Sequence, residues 1–288
     1  MTVSDSSALA RARSALIQLA LEEDVGEGDW TTLWTVDAEL TAEAAVIAKV
    51  PLVVSGTECV VETFRSLDPR LAVDVAVDDG TPVEAGRVLV RLRGPAHALL
   101  VGERTALNFL GRLSGIASMT RRFVDRVAGT GARIMDTRKT TPGWRLLEKA
   151  AVRDGGGSNH RVGLFDMVLV KDSHIDAAGG IDAAVRSALA RNDRRLPVEV
   201  EVRTFEELED LLAFEVDRIL LDNMPPEALR RAVARVRELG AGRPELEASG
   251  NVTLENVRSV AETGVDFVSI GALTHSAPSA DVSLRVAS

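Results

Sequence analysis

At 288 residues, with 45% hydrophobic and 27% charged residues, the chain is long enough for one barrel or two domains and too apolar for a disordered or fibrous protein. A net charge of -9, an aromatic content of 3% and the lack of any tyrosine exclude a general nucleic-acid binder, which needs a basic surface or a stacking platform. The single Cys59, with no zinc-site spacing around it, suits a reducing compartment, so the cytoplasm is expected; with no leader-like or bilayer-length apolar run, no membrane role is expected.

The first predicted element is a helix over 6–23, where Leu9, Ala12, Leu16, Ile17 and Ala20 recur at helical spacing after a serine-rich start. DVGEGDWTT then reads as a loop. From Ala42 the pattern becomes β-like in AEAAVIAKV, LAVDVAV and RVLVRLR, with turn signals between them and one helix near TECVVETFRSL. A long helix from about Leu99 to Ala128 follows, with Leu107, Leu110, Leu113, Phe123 and Val127 on its apolar side.

Beyond it, strands and helices alternate. The strands are expected at 132–136, 167–170, 197–202, 217–222, 245–249 and 266–270, with helical patterns in IDAAVRSALARND, FEELEDLLAF, PPEALRRAVARVREL and TLENVRSVAET. Such alternation predicts a parallel sheet covered by helices. Six strands are two short of the eight of a closed barrel, so an open or shortened barrel is expected.

Barrel chemistry gathers at the C-terminal ends of the strands. Those ends carry Asp136-Thr137-Arg138-Lys139, Lys171-Asp172, Glu201, Asp222-Asn223, Ser249-Gly250-Asn251 and Gly271-Ala272. Glu199 and Glu201 share one face of a strand that helices should cover, and a carboxylate there needs a partner. Glu201, at the strand end, is assigned a function; Glu199, deeper in the strand, is not. In the segment AVRDGGGSNHRVGLFDMVLVKDSH, three glycines can bring backbone amides close to an anion, and His160-Arg161 adds donors suited to carboxylate or phosphate. Between Arg133 and Ile175, eight Lys/Arg stand against five Asp/Glu, a local excess of cations in an acidic chain. The expected ligand is therefore a small anion. His174 and His275 are ranked as secondary, His97 as a residue of a helix start, and the lack of a GxGxxG fingerprint lowers a nicotinamide-dependent oxidoreductase.

At these residues the sequence resembles quinolinate phosphoribosyltransferase, through ALEEDVGEGDWTT, ERTALNFLGRLSGIAS, DTRKTTPGWR, EKAAVRDGGGSNHRVGLFDMVLVKDSH, EVEV, LLDNM, EASGNVTLENV and TGVDFVSIGALTHSAP, nearly the whole chain in order. The resemblance implies an N-terminal α/β sandwich domain over 1–115, an incomplete α/β barrel over 116–273, and a tail, 274–288, packed back on the first domain. It implies transfer of a phosphoribosyl group from phosphoribosyl pyrophosphate to quinolinate with loss of carbon dioxide, aided by Mg²⁺, in a homodimer. By that resemblance Arg138, His160 and Arg161 bind the quinolinate carboxylates, and Arg104 joins them from the other subunit. Lys139 and Lys171 serve the anionic ends of both substrates. Glu201 and Asp222 hold the Mg²⁺-bound ribosyl pyrophosphate. Ser249, Gly250, Asn251, Gly271 and Ala272 present backbone amides to the 5′-phosphate, and Thr137 and Ser269 complete the substrate-binding set.

Ala150, Ser173 and Trp144 depart from the family's usual residues, and none of them replaces a charged contact. Three other readings remain open on the residues alone. They are a nicotinate-type phosphoribosyltransferase, a barrel aldolase with Lys171 as its Schiff-base lysine, and a non-catalytic phosphosugar-binding module.

Overall fold

The computed structural model describes residues 3–287. In chain order the first elements are α1 (Val3–Val25), α2 (Trp30–Thr35), β1 (Thr41–Ala48), β2 (Leu52–Val53), α3 (Thr57–Leu67), β3 (Ala72–Val75), β4 (Pro82–Val83), β5 (Val88–Pro95) and α4 (Ala96–Val127). Then come β6 (Arg133–Met135), α5 (Arg145–Asp154), β7 (Val168–Val170), α6 (Asp172–Ala178), α7 (Ile181–Arg191), β8 (Val198–Val202), α8 (Phe205–Leu211) and β9 (Arg218–Asp222). The last are α9 (Pro226–Arg237), β10 (Glu245–Ser249), α10 (Val257–Ala261), β11 (Phe267–Ser269), α11 (Ala272–His275) and β12 (Val282–Ala287). The described residues divide into two compact units, one of residues 3–121, 140–156 and 272–287, the other of 122–139 and 157–271.

In the first unit a four-stranded antiparallel sheet runs in the order β12-β1-β5-β3. Strand β12 is the returning C-terminal segment and pairs with β1 from Glu43↔Ala287 to Ala48↔Val282. In β1, Ala44, Val46 and Ala48 alternate inward, and they pack with Leu89, Leu92, Phe64, Leu99 and Leu110 in one apolar core. Helix α4 presents Leu107, Leu110 and Leu113 on its buried side, the side its periodicity predicts. Helix α5 also belongs to this unit, although the expected barrel span of 116–273 contains it. Its first-turn Glu148 is fully buried and pairs with Arg112 of α4 at 2.8 Å. That carboxylate also accepts the Thr141 backbone N–H at 3.0 Å and the Thr141 hydroxyl at 2.8 Å. Arg112 donates onward to the carbonyls of Ala277, at 2.8 Å, and Thr274. Trp144, the N-cap residue of α5, stacks on Phe109 with ring centroids 4.6 Å apart.

In the second unit six strands form one parallel sheet in the order β6-β11-β10-β9-β8-β7. The outermost strands β6 and β7 do not pair with each other, so the barrel is open. At the free side of β6, Ser158 forms a single parallel bridge to Met135, covering that edge in place of a seventh strand. Each helix following a strand buries one stripe, as in α9, where Leu229, Ala232, Val233 and Val236 are buried at spacings of three and four. Val198, Val200 and Val202 of β8 are buried as well, which turns Glu199 and Glu201 to the opposite face.

Two short helices depart from the expectations. DVGEGDWTT does not remain a loop through its end, because Asp29 accepts the Thr32 backbone N–H at 3.1 Å and caps α2. The TLENVRSVAET pattern contracts to the five residues of α10.

Candidate active site

The C-terminal ends of the six strands open into a cavity of about 460 Å³. Its walls carry Thr137, Arg138 and Lys139 after β6, His160 and Arg161 before β7, and Lys171 and Asp172 after β7. Glu201 at the end of β8, Leu220 and Asp222 on β9, Glu247 and Ser249 on β10, and Ser269 on β11 complete it with Leu169.

The loop bearing His160 and Arg161 is held from β6. Asp136, fully buried, accepts the His160 backbone N–H at 2.8 Å and the Asn159 amide at 2.7 Å. His160 Nδ1 in turn accepts the Arg161 backbone N–H at 2.7 Å, so the ring hydrogen sits on Nε2, which lies 2.9 Å from Glu199 Oε2. The Arg161 guanidinium donates to the Met167 carbonyl at 3.1 Å. Burial and then the nearby Arg138 charge make that guanidinium give up its proton more readily than an ordinary arginine. Such crowding of cations favours an anionic guest. Asp166 accepts the backbone N–H groups of Val162 and Gly163 at 2.6 and 2.8 Å and closes the turn beyond.

Across the cavity, burial and the neighbouring Asp222 charge push the Glu201 carboxyl above its usual range, while Lys171 opposes them. A cation placed between Glu201 and Asp222 relieves that repulsion, and two hard carboxylate oxygens suit Mg²⁺. Asn223 and Asn251 both adopt positive φ, 53° and 52°, on either side of the cross-strand contact in which Asn251 donates to Asn223 Oδ1 at 2.9 Å. Gly250 lies against the same side chain: a Cβ there would sit 2.2 Å from Asn223 Oδ1, and φ is +98°.

Of the predicted site residues, Thr137, Arg138, Lys139, His160, Arg161, Lys171, Glu201, Asp222, Ser249 and Ser269 line this one cavity. Gly250, Asn251, Gly271 and Ala272 do not line it, and Arg104 is exposed on α4 in the first unit. The glycine run 155–157 is not an anion cradle at its start. Gly155 is glycine because a Cβ would meet the Ala117 carbonyl oxygen at 2.5 Å, a close packing of α5's end on α4. His174 is structural: its Nδ1 accepts the Lys171 backbone N–H at 3.0 Å. His97 faces the Val36 carbonyl at 2.9 Å and His275 faces Ser276 at 2.6 Å.

Sequence reasoning placed Asp172 at a strand end without a role, missed Leu169, Leu220 and Glu247 as lining residues and set Glu199 aside. Alternation in ELEAS, which puts Glu247 on the face of Ser249, was the available signal for Glu247. Glu199 is buried because His160 meets it.

Comparison with known proteins gives a consistent result. Residues 29–114 match the family described as Quinolinate phosphoribosyl transferase, N-terminal domain, and residues 116–285 match its C-terminal domain. The chain is 45% identical to a rice protein named nicotinate-nucleotide pyrophosphorylase [carboxylating], chloroplastic, over 94% of this chain and 77% of that one. It is 42% identical to a Synechocystis protein named probable nicotinate-nucleotide pyrophosphorylase [carboxylating], over 94% and 91% of the two chains. The solved nicotinate-nucleotide pyrophosphorylase of Francisella tularensis superposes with a TM-score of 0.91 at 36% identity, covering 96% of each chain.

Proposed function

The chain belongs to the quinolinate phosphoribosyltransferase family, and from that premise we propose how its own residues divide the work. The enzyme transfers the phosphoribosyl group of phosphoribosyl pyrophosphate to quinolinate with decarboxylation, giving nicotinate mononucleotide, pyrophosphate and carbon dioxide in de novo NAD biosynthesis. The observation that carries the assignment of residues is the meeting of five basic side chains with Glu201 and Asp222 around one cavity.

Arg138 and Arg161 take the two carboxylates of quinolinate, and His160, whose one ring hydrogen faces Glu199, borders them without donating to them. Guanidinium forks bind a planar diacid in one orientation, which a single lysine cannot do. This number of cations favours the diacid over a monoacid such as nicotinate. Lys139 and Lys171 draw negative charge from pyrophosphate as it leaves. Glu201 and Asp222 face the positive charge that develops on the ribose carbon, so no protein nucleophile is needed. Glu201 and Asp222 would hold the Mg²⁺ of Mg²⁺-bound phosphoribosyl pyrophosphate, which would neutralise charge on the leaving group. Thr137, Ser249 and Ser269 bound the sugar, and the backbone around Gly250, Asn251, Gly271 and Ala272 serves the 5′-phosphate.

The working form is a homodimer in which Arg104 reaches the partner's cavity. Supporting this are the exposure of Arg104 and of apolar side chains that the fold leaves open to water, among them Trp34 at 79% and Leu164 at 72%. Among the described residues no helix is long and apolar enough to cross a membrane. The buried, free Cys59 fits the proposed cytoplasmic location.

Two measurements test this reading. Incubation with quinolinate and phosphoribosyl pyrophosphate should give nicotinate mononucleotide only when Mg²⁺ is present; equal yield in excess chelator refutes the metal. Mixing inactive Arg104→Ala and Lys139→Ala chains should restore part of the activity, and none returning after proven subunit exchange refutes the shared site.

A further inference from the structure

Two buried carboxylates beside His160 have no task in the reaction as described so far. Glu199 on β8 and Glu247 on β10 are both fully buried. His160 Nε2 lies 2.9 Å from Glu199 Oε2 and 3.6 Å from Glu247 Oε2. Arg218 of β9 approaches Glu247 Oε2 at 3.5 Å while its other terminal nitrogen holds Glu245 at 2.9 Å. The ligand atoms of His160, Glu199 and Glu247 lie within 4.8 Å of one another, which is compact enough for a metal ion. A metal, however, would add positive charge to a place already faced by Arg218 and, on the Glu199 side, by Arg161. A proton completes the group instead. Burial first, and then the Glu199 charge, push the Glu247 carboxyl up to about 8, against the opposing pull of His160 and the Ser269 hydroxyl. Glu247 therefore holds its proton at neutral pH. Of the two carboxylates only Glu247 also lines the cavity.

The reaction requires such a proton. Once the ring nitrogen carries the ribose, the bond from C2 of the pyridine to its carboxylate breaks, carbon dioxide leaves, and the electron pair stays on C2 beside the positively charged nitrogen. That carbon must then form a bond to hydrogen before it recaptures the carbon dioxide, so net carbon dioxide release waits on a proton donor. We propose that Glu247, in the cavity wall, supplies this proton from its own O–H bond, with Glu199 and His160 as the positioning residues that hold it there. Glu247 is left as a carboxylate and takes up a proton from water after product release, so each turnover consumes one solvent proton. The proposal rests on the quinolinate reading and deepens it.

The test separates the two chemical events by rapid quench, measuring pyrophosphate and carbon dioxide in one turnover of full-length protein. In Glu247→Gln, carbon dioxide release should slow at least tenfold more than pyrophosphate release, and quinolinate mononucleotide should accumulate. Matched release of the two products from the folded variant overturns the proposal. Should the variant fail to fold, the unaltered enzyme decides. Its ratio of carbon dioxide to pyrophosphate should fall as pH rises through about 8, where Glu247 loses its proton. A flat ratio, or a fall only near the ordinary lysine range of about 10, overturns the proposal. Absence of nicotinate mononucleotide from the unaltered enzyme would defeat the quinolinate reading itself, whereas normal product with matched release in Glu247→Gln defeats the proton donor alone.

Discussion

Replacing Glu148 by alanine should destabilise the first unit more than any surface change can. The Glu148 side chain is wholly buried and that of Arg112 only 23% exposed. One carboxylate receives four donors: Arg112 Nε at 3.2 Å, Arg112 Nη2 at 2.8 Å, the Thr141 N–H at 3.0 Å and the Thr141 hydroxyl at 2.8 Å. Truncation strands the arginine charge and a backbone N–H together. Breaking a buried pair from one side costs about 3–5 kcal/mol, and partial access of water to Arg112 places this case at the low end, about 3 kcal/mol. For a domain of this size that is a drop of roughly 6–12 °C in Tm. Thermal unfolding followed by circular dichroism, with Arg112→Met and the double variant completing a cycle, measures it. The coupling between the two residues should be about 2 kcal/mol. A fall in Tm under about 2 °C, or a coupling under about 0.5 kcal/mol, would refute the view of this pair as the strut between α4, α5 and the Thr274–Ala277 segment.

Two further expectations follow from local geometry. Gly250→Ala combines a positive φ with a Cβ 2.2 Å from Asn223 Oδ1, so the loop must move. The KM for phosphoribosyl pyrophosphate should rise about tenfold, a change of about 1.4 kcal/mol in binding, with a smaller effect on the KM for quinolinate; an unchanged KM for the ribosyl donor refutes the phosphate role of this loop. Asp266 is pushed up by its burial, but the pair of bonds from Arg243 at 2.7 and 2.8 Å and the Leu246 N–H at 2.7 Å outweigh that and hold it below its ordinary 3.8. A depressed carboxylate stabilises fully above its unfolded value and loses that effect as pH falls through its folded one. The Tm difference between the unaltered protein and Asp266→Asn should thus be largest above pH 5 and shrink towards pH 3; a difference constant across that range counts against the pairing.

The open barrel was legible because its strands are short runs, Val-, Ile- or Leu-rich in β7, β8 and β9, that alternate with helical patterns and stop at polar ends. The cavity followed from those ends, since ten of the predicted residues converge where the strands stop. Three things were not legible. Helix α2 is six residues, five of them Trp or Thr, weak helix formers that one capping aspartate organises. Helix α5 lies within the barrel span of the sequence but in the other compact unit, and its buried Glu148 reads as a surface charge until Arg112, 36 residues earlier, is seen against it. Glu199 is set aside by its depth in its strand, and Glu247 carries no signal beyond the alternation of ELEAS. Their burial depends on His160 and Arg218, and partners brought together from separate strands leave no local signature.

All three tryptophans, Trp30, Trp34 and Trp144, belong to the first compact unit, and the chain has no tyrosine. Intrinsic emission excited near the red edge of protein absorption therefore arises entirely from that unit, with Trp144 stacked on Phe109 as the shielded fluorophore and Trp30 and Trp34 as the water-exposed ones. The open barrel is optically silent. An unfolding curve followed by fluorescence reports the sandwich alone, and a tryptophan introduced beside the cavity would give the catalytic unit a signal of its own against a background that is already assigned.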